Sequence, residues 1–293
     1  MNAPLHSESP PLVLAFAVSD PTSGSGLQAD LLTFASMGCH GLTVVTGLTV
    51  QDSAGIDDML AMDADWVEDQ ARSLLEDMQV AAFKIGVVSS VENVQVIAEI
   101  LSDYPDIPVI FDPVLASARG ESLADDETID AMRELLLPHT TLLTPNSLEV
   151  RRLAADEDDE TAEIDVSATR LIELGAKFVL VTGTHEHSPE VVNLLYSEAG
   201  LVRSDSWTRL AGTYHGAGGT LAAACTALIA NGLDVPEAVR EAQEYTWQAL
   251  AAGFRPGMGH WLPDRFFWAR ESGEEHDLTR PPGPGALLTP HRG

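Results

Sequence analysis

The chain has 293 residues, 45% of them hydrophobic, enough for one large core or two small ones. With 16 Lys+Arg against 45 Asp+Glu the formal charge is −29, which argues against nonspecific binding to nucleic acid or anionic membranes. No apolar run reaches the ~18 residues of a bilayer span, and the lone Cys39 and Cys225 form neither a disulfide framework nor a CxxC site, which fits a reducing cytoplasm.

Residues 1–11 are polar and Pro-rich without a basic n-region, so they read as a flexible lead-in rather than a signal peptide. LVLAFAV (12–18) has the length and composition of a buried strand. GLQADLLTFASM (26–37) sets Leu27, Leu31, Phe34 and Ala35 on one helical face. HGLTVVTGLTV (40–50) is strand-like, and in 63–78 Val67, Ala71, Leu74, Leu75 and Met78 trace a helical stripe. AAFKIG (81–86), a helix at 91–101, PVIFD (108–112), a helix at 126–137 and TLLTP (141–145) follow. Helices near 147–154 and 162–174 then lead into FVLVTG (178–183). This βαβα rhythm, with continuously apolar strands, predicts a mostly parallel sheet covered by helices on both faces. VVNLLYS (191–197) and LVRSDSWTR (201–209) flank EAG and predict an antiparallel hairpin at the sheet edge, followed by helices at 218–231 and 235–253. No linker interrupts 12–268, which reads as a single domain. The acidic run DEDDE (156–160) reads as a solvated loop, and 271–293 as a flexible tail.

Five stretches at strand–helix junctions carry candidate chemistry. In an open parallel sheet such junctions converge on one edge, where ligands bind. SDPTSGSGLQAD (19–30) lets backbone approach a small ligand, or is a tight turn capped by Asp20; it is neither a P-loop nor GxGxxG. Gln51 in TVQD (49–52) offers a donor and an acceptor to a heteroaromatic ring, or is a surface turn residue. Asp112 ends a strand in IFDPVLASARG (110–120). In TPNSLEV (144–150), Asn146 and Glu149 either face a hard cation such as Mg²⁺ or simply cap a helix. TYHGAGGTLAAAC (213–225) runs a glycine-rich turn into a helix, where successive N–H groups and the helix dipole would hold an anion. FRPGMGHWLPDRFFW (254–268) packs the C-terminus onto the domain or contributes to a subunit contact.

In this order and spacing, SDPTSGSGLQADLLTF, TVQD, KIG (84–86), DPV (112–114), TPNSLE and HGAGGTLAAA resemble the hydroxymethylpyrimidine/phosphomethylpyrimidine kinases of thiamin biosynthesis, in the ribokinase-like superfamily. The resemblance covers roughly 12–268. It implies a three-layer α/β/α fold with a mostly parallel central sheet. It also implies ATP- and Mg²⁺-dependent phosphorylation of 4-amino-5-hydroxymethyl-2-methylpyrimidine and of its monophosphate, commonly by a homodimer. By position, Ser19, Asp20 and Gln51 would meet the aminopyrimidine, with Val18, Val87 and Val114 lining its pocket. Asp112 and Glu149 would serve the Mg²⁺–phosphate region. Thr182, Gly183 and Thr184 would lie near the nucleotide, and the N–H groups of Gly216, Ala217, Gly218 and Gly219 would form the anion hole.

Three positions depart from that pattern. Val18 stands where the family usually has Gly, and Thr182 near where it usually has a phosphate-reaching Lys. Gly219 stands where the pyrimidine kinases carry Cys and many ribokinase-like enzymes carry Asp as the proposed base. Cys225, six residues on, is displaced along the helix by ~9 Å and turned by roughly 240°, so it is expected to point elsewhere. His215 is expected to face away from the hole. Asp20 or Asp112 acting through a water, or no side-chain base at all, remain open. A kinase slowed by this loss, a non-catalytic pyrimidine-binding protein and a pyridoxal-type vitamer kinase are the alternatives.

Overall fold

Strand β1 (Leu12–Ser19) buries both its faces. Val13, Ala15 and Ala17 point into one apolar layer, Leu14 and Phe16 into another. Such a strand must lie inside a sheet covered on both sides. The computed structural model, which describes residues 9–117, 120, 122–155, 163–186 and 188–270, has it there. The run 156–160 and the tails 1–8 and 271–293 lie outside the described residues. Pro11, expected in the flexible lead-in, is already tied down, its carbonyl accepting from His40 N.

The sheet has nine strands. They are β1, β2 (His40–Gln51), β3 (Ile56–Ala61), β4 (Val80–Ile85), β5 (Val109–Phe111), β6 (Leu142–Leu143), β7 (Phe178–Val181), β8 (Glu190–Ser197) and β9 (Gly200–Thr208). Their spatial order is β3-β2-β1-β4-β5-β6-β7-β8-β9. The strands from β2 through β7 run parallel in that order, and β8 and β9 form the expected antiparallel edge hairpin. A second antiparallel edge was not expected: β3 folds back on β2 and pairs Leu48 with Leu60. Its IDDMLA sequence hides the strand, because an edge strand exposed on one side carries acidic residues as readily as a loop does.

Helices α1 (Gly26–Ser36), α7 (Ala217–Ala230) and α8 (Val235–Ala251) cover one face. Helices α2 (Ala64–Leu75), α3 (Val91–Asp103), α4 (Asp126–Ala131), α5 (Ser147–Ala154) and α6 (Ile164–Glu173) cover the other. The helix expected over 126–137 is shorter as α-helix. Residues 132–136 widen into a π-helical turn, and Pro138, which has no N–H to continue an α-helix, sits in a 3₁₀ turn. Asp63, Ser90, Asp125, Asn146 and Asp234 each accept a backbone N–H at a helix start.

Helix α7 explains the alanine run. Ala222, Ala224 and Cys225 pack toward β4–β7 and α8, and Ala223 and Ala227 pack toward β1 and α1, all fully buried. A helix apolar on all sides is a buried one, and small side chains let it lie close against the sheet. Ala224→Leu is therefore expected to overpack this layer and cost about 1–3 kcal/mol. A lower urea midpoint at unchanged m-value would register it.

Candidate active site

The parallel strands all end at one edge of the sheet, and the chain changes direction there between β1 and β4, the two neighbours reached by moving opposite ways from the first crossover. The loop after β1 is organised by Asp20, which is fully buried. One carboxylate oxygen accepts from Thr22 N and Oγ1 (both 2.7 Å). The other accepts from Ser25 N (2.8 Å) and Oγ (3.0 Å). Gln28 closes the loop from α1, accepting from Asp20 N (2.9 Å) and donating to Ser19 Oγ (2.7 Å).

His215 reaches into the same loop, with Nε2 3.0 Å from Asp20 Oδ2 and 3.2 Å from Gln51 Nε2. The chain makes a left-handed turn at Gly216 (φ +83°), and the preceding side chain lies over Asp20. Burial alone would raise the Asp20 carboxyl, but hydrogen bonds from His215, Thr22 and Ser25 hold it down at about 2. An ionised Asp20 only accepts, so His215 meets it with Nε2–H. Two glycines permit this interleaving. A Cβ on Gly24 would stand 2.3 Å from the His215 ring, and one on Gly216 would stand 1.8 Å from the Gly24 carbonyl oxygen.

Gly216 is the N-cap of α7, and its carbonyl accepts the first helical bond from Thr220 N (2.9 Å). The N–H groups of Ala217, Gly218 and Gly219 donate to no group among the described residues. A helix end with unpartnered N–H groups of this kind suits an anion. Facing them is Asp112: a Cβ built on Gly218 would be 4.0 Å from its Oδ1 and one on Gly219 3.9 Å from its Oδ2. Thr144 Oγ1 donates weakly to Oδ1 at 3.4 Å. Glu149 lies behind, its carboxylate accepting from Asn146 N (2.9 Å) and Leu115 N (3.3 Å), while Asn146 caps α5 in return.

Burial pushes Asp112 up to about 6, with Asp30 adding to the rise and Lys84 opposing it. Burial and then the charge of Asp112 push Glu149 up to about 8. Two carboxylates that resist ionising together favour a cation between them, so the pair fits Mg²⁺. Among the described residues no cluster of three or more His, Cys, Asp or Glu forms a metal cage. Such an ion would therefore keep waters and substrate oxygens in its shell. Lys84 is held by Asp30 at 2.9 Å, both buried.

Val18 is 3% exposed and packs its branch over Gly47, while Val87 and Val114 are half-buried. Thr182 ties β7 to the start of α5, donating its N–H to Pro145 O (2.9 Å) and accepting from Ser147 N (3.2 Å). Gly183 N donates to Asn193 Oδ1 (3.1 Å), and a Cβ there would strike Val192 O at 2.2 Å. Thr184 is exposed, its carbonyl accepting from Arg209 (2.8 Å).

A family model described as phosphomethylpyrimidine kinase matches residues 20–264. The chain belongs to this family. It is 38% identical over 262 residues to the hydroxymethylpyrimidine/phosphomethylpyrimidine kinase of Streptomyces coelicolor, covering 88% of this chain and 96% of that one. It is 36% identical over 253 residues to that of Mycobacterium tuberculosis, covering 86% and 92%. An ADP complex of Bacillus subtilis pyridoxal kinase superposes with a TM-score of 0.78 at 26% identity, covering 89% of this chain and 99% of that one. The phosphomethylpyrimidine kinase of Clostridium difficile gives 0.69 at 30% identity, covering 82% and 99%. The fold is ribokinase-like.

Within this family member, an added Cβ at Gly219 would meet only Asp112 among the described residues. Cys225 does not replace that side chain. It is fully buried, and burial followed by the charge of Asp112 pushes its thiol far above the usual range.

Gly216→Ala is expected to abolish anion binding, because its Cβ would both occupy a left-handed backbone position and collide with Gly24; phosphate titration of a folded variant would show it. Asp20→Asn tests the loop. The folded carboxyl titrates near 2 against 3.8 unpaired, so its stabilisation is complete above pH 4 and fades as pH falls from there through 2. Denaturant titrations are expected to find the variant less stable by about 2 kcal/mol at pH 7, with the gap closing in acid.

Proposed function

We propose that this protein transfers the γ-phosphoryl group of ATP to the hydroxymethyl group of 4-amino-5-hydroxymethyl-2-methylpyrimidine and then to its monophosphate, in the cytoplasm and as a homodimer. The observation that carries the reading is the pairing of free N–H groups at Ala217, Gly218 and Gly219 with the Asp112 carboxylate across from them. An anion held at the helix end lies against an acidic group suited to a cation, the arrangement a charged phosphoryl group requires. Asp20, through His215, and Gln51 present polar groups to the heterocycle, beside Val18, Val87 and Val114. Thr182, Gly183 and Thr184 border the nucleotide. Mg²⁺, held by Asp112 with Glu149 behind it, would neutralise phosphate charge.

The missing side chain at 219 bears on rate. A general base is typically worth ~10²–10⁴-fold, whereas phosphoryl transfer through a loose transition state draws mainly on positioning and charge. The helix end and the carboxylate pair are both present, so the reading is a slowed kinase. A pyridoxal-type vitamer as substrate is the second reading, favoured by the higher TM-score of the Bacillus subtilis pyridoxal kinase.

Gly219→Cys fits without displacement, since an added Cβ would be 3.9 Å from its nearest neighbour, Asp112 Oδ2. Steady-state assays on hydroxymethylpyrimidine, its monophosphate and pyridoxal are expected to find wild-type turnover on both pyrimidines, and a kcat raised at least ~10-fold in Gly219→Cys. Pyrimidine binding without ATP consumption by either protein would replace the kinase reading with a binding protein. Preferential turnover of pyridoxal would move the substrate to the second reading.

A further inference from the structure

Residues 253–265 fold across the sheet edge that carries the site. Phe254 and Leu262 exchange backbone bonds (3.0 and 2.8 Å). His260 N donates to Ser53 O in the turn after β2 (2.7 Å), Trp261 N donates to Thr213 O (2.9 Å), and His215 N donates to Trp261 O (2.9 Å). This strap ends at Arg265, whose guanidinium is buried. Its own carbonyl is fixed by Ser36 Oγ from α1 (2.7 Å) and Tyr245 OH from α8 (2.8 Å).

The guanidinium spreads over the two segments that meet at the anion-binding end of α7. Nη2 donates to Gly24 O (2.6 Å), Nη1 to Ser23 O (3.2 Å) and Nε to Thr220 Oγ1 in the first turn of α7 (3.1 Å). A Cβ on Gly216 would stand 3.1 Å from Nη2. Its acceptors are neutral oxygens, and among the described residues no carboxylate forms an ion pair with it. Burying a cation without a direct counter-ion is expensive, although here the nearby carboxylates of Asp30 and Asp20 favour its charge. A fold that bears this cost places a positive charge immediately behind the free N–H groups of Ala217, Gly218 and Gly219. The chain carries a formal charge of −29 and has Thr182 near where the family pattern usually has a lysine.

We propose that Arg265 is a positioning residue of the phosphoryl site: its guanidinium locks the Ser23–Gly24 loop to the first turn of α7, aims the N–H groups of Ala217–Gly219 at the transferring phosphate, and supplies positive charge beside them. The proposal rests on the kinase reading for its effect on turnover, and on the anion site alone for its effect on binding. R265K keeps the charge and loses the fork; R265M loses both.

The test measures kcat, the KM values for ATP and pyrimidine, the affinity for inorganic phosphate by calorimetry, and the melting temperature, for wild type and both variants. A misaimed site costs on the order of 100-fold in rate. R265M is expected to lose about that much kcat and at least ~10-fold in phosphate affinity, and R265K a smaller part of each, while the pyrimidine KM changes by less than about threefold. Guanidinium ion at millimolar concentration is expected to restore part of the R265M rate and none of the R265K rate, a rescue that a purely structural role would not give. Phosphate affinity and kcat within about twofold of wild type in a folded R265M would overturn the proposal. So would losses that follow the melting temperature equally for every ligand. If R265M does not fold, R265K carries the test with the same two overturning outcomes. If wild type phosphorylates nothing, the kinase reading falls, and the phosphate affinities still decide the role of Arg265.

Discussion

Everything at the site follows from how closely α7 lies against the sheet. The helix is buried along Thr220–Ala227 and opens to solvent only at its ends, where the N–H groups of its first turn lack partners among the described residues. Its alanines bring the helix axis close to β4 and β5, and its first turn therefore arrives beside Asp112 at the end of β5. The cradle and the acidic group opposite it thus come from one packing decision. The left-handed Gly216 is the hinge of that decision, letting the chain enter the helix while His215 turns back into the loop after β1.

The electrostatics are arranged in two layers. In the outer layer Asp20 is stabilised as an anion by donors from its own loop and by His215, so it acts as a fixed organiser. In the inner layer Asp112 is destabilised as an anion by burial and by Asp30, and Glu149 by burial and by Asp112, which leaves the pair receptive to a cation. Lys84 offsets only part of this, because Asp30 already holds it. The chain has only two lysines, and the groups that could meet an anion at this edge are backbone N–H groups and, as proposed, the buried Arg265 guanidinium.

The sequence made the layered architecture, the edge hairpin and the convergence of five junctions legible, because apolar periodicity and turn chemistry are local signals. What stayed hidden depends on contacts between distant segments. β3 carries Asp57 and Asp58 in an edge strand and so lacks an apolar signature. His215 could not be oriented without the positive φ at Gly216, although the glycine after it was a hint. Arg265 gave no signal at all: one arginine among aromatics acquires meaning only when Ser23, Gly24 and Thr220 are seen to surround it. Asn146 and Glu149 were legible as a helix start, and they do form a capping box, so local geometry there serves stability whatever the site does.

The strap that ends at Arg265 also bears on the chain's history during synthesis. The loop at 20–25 precedes most of the sheet in the chain, and β1 can pair with β2 and β4 long before α7 exists. Yet that loop's carbonyls at Ser23 and Gly24 find their guanidinium only after every strand and the last long helix have emerged. A nascent or prematurely terminated chain can therefore own a nearly complete sheet and still lack a finished site. The binding edge can therefore close only after Arg265 has cleared the ribosome.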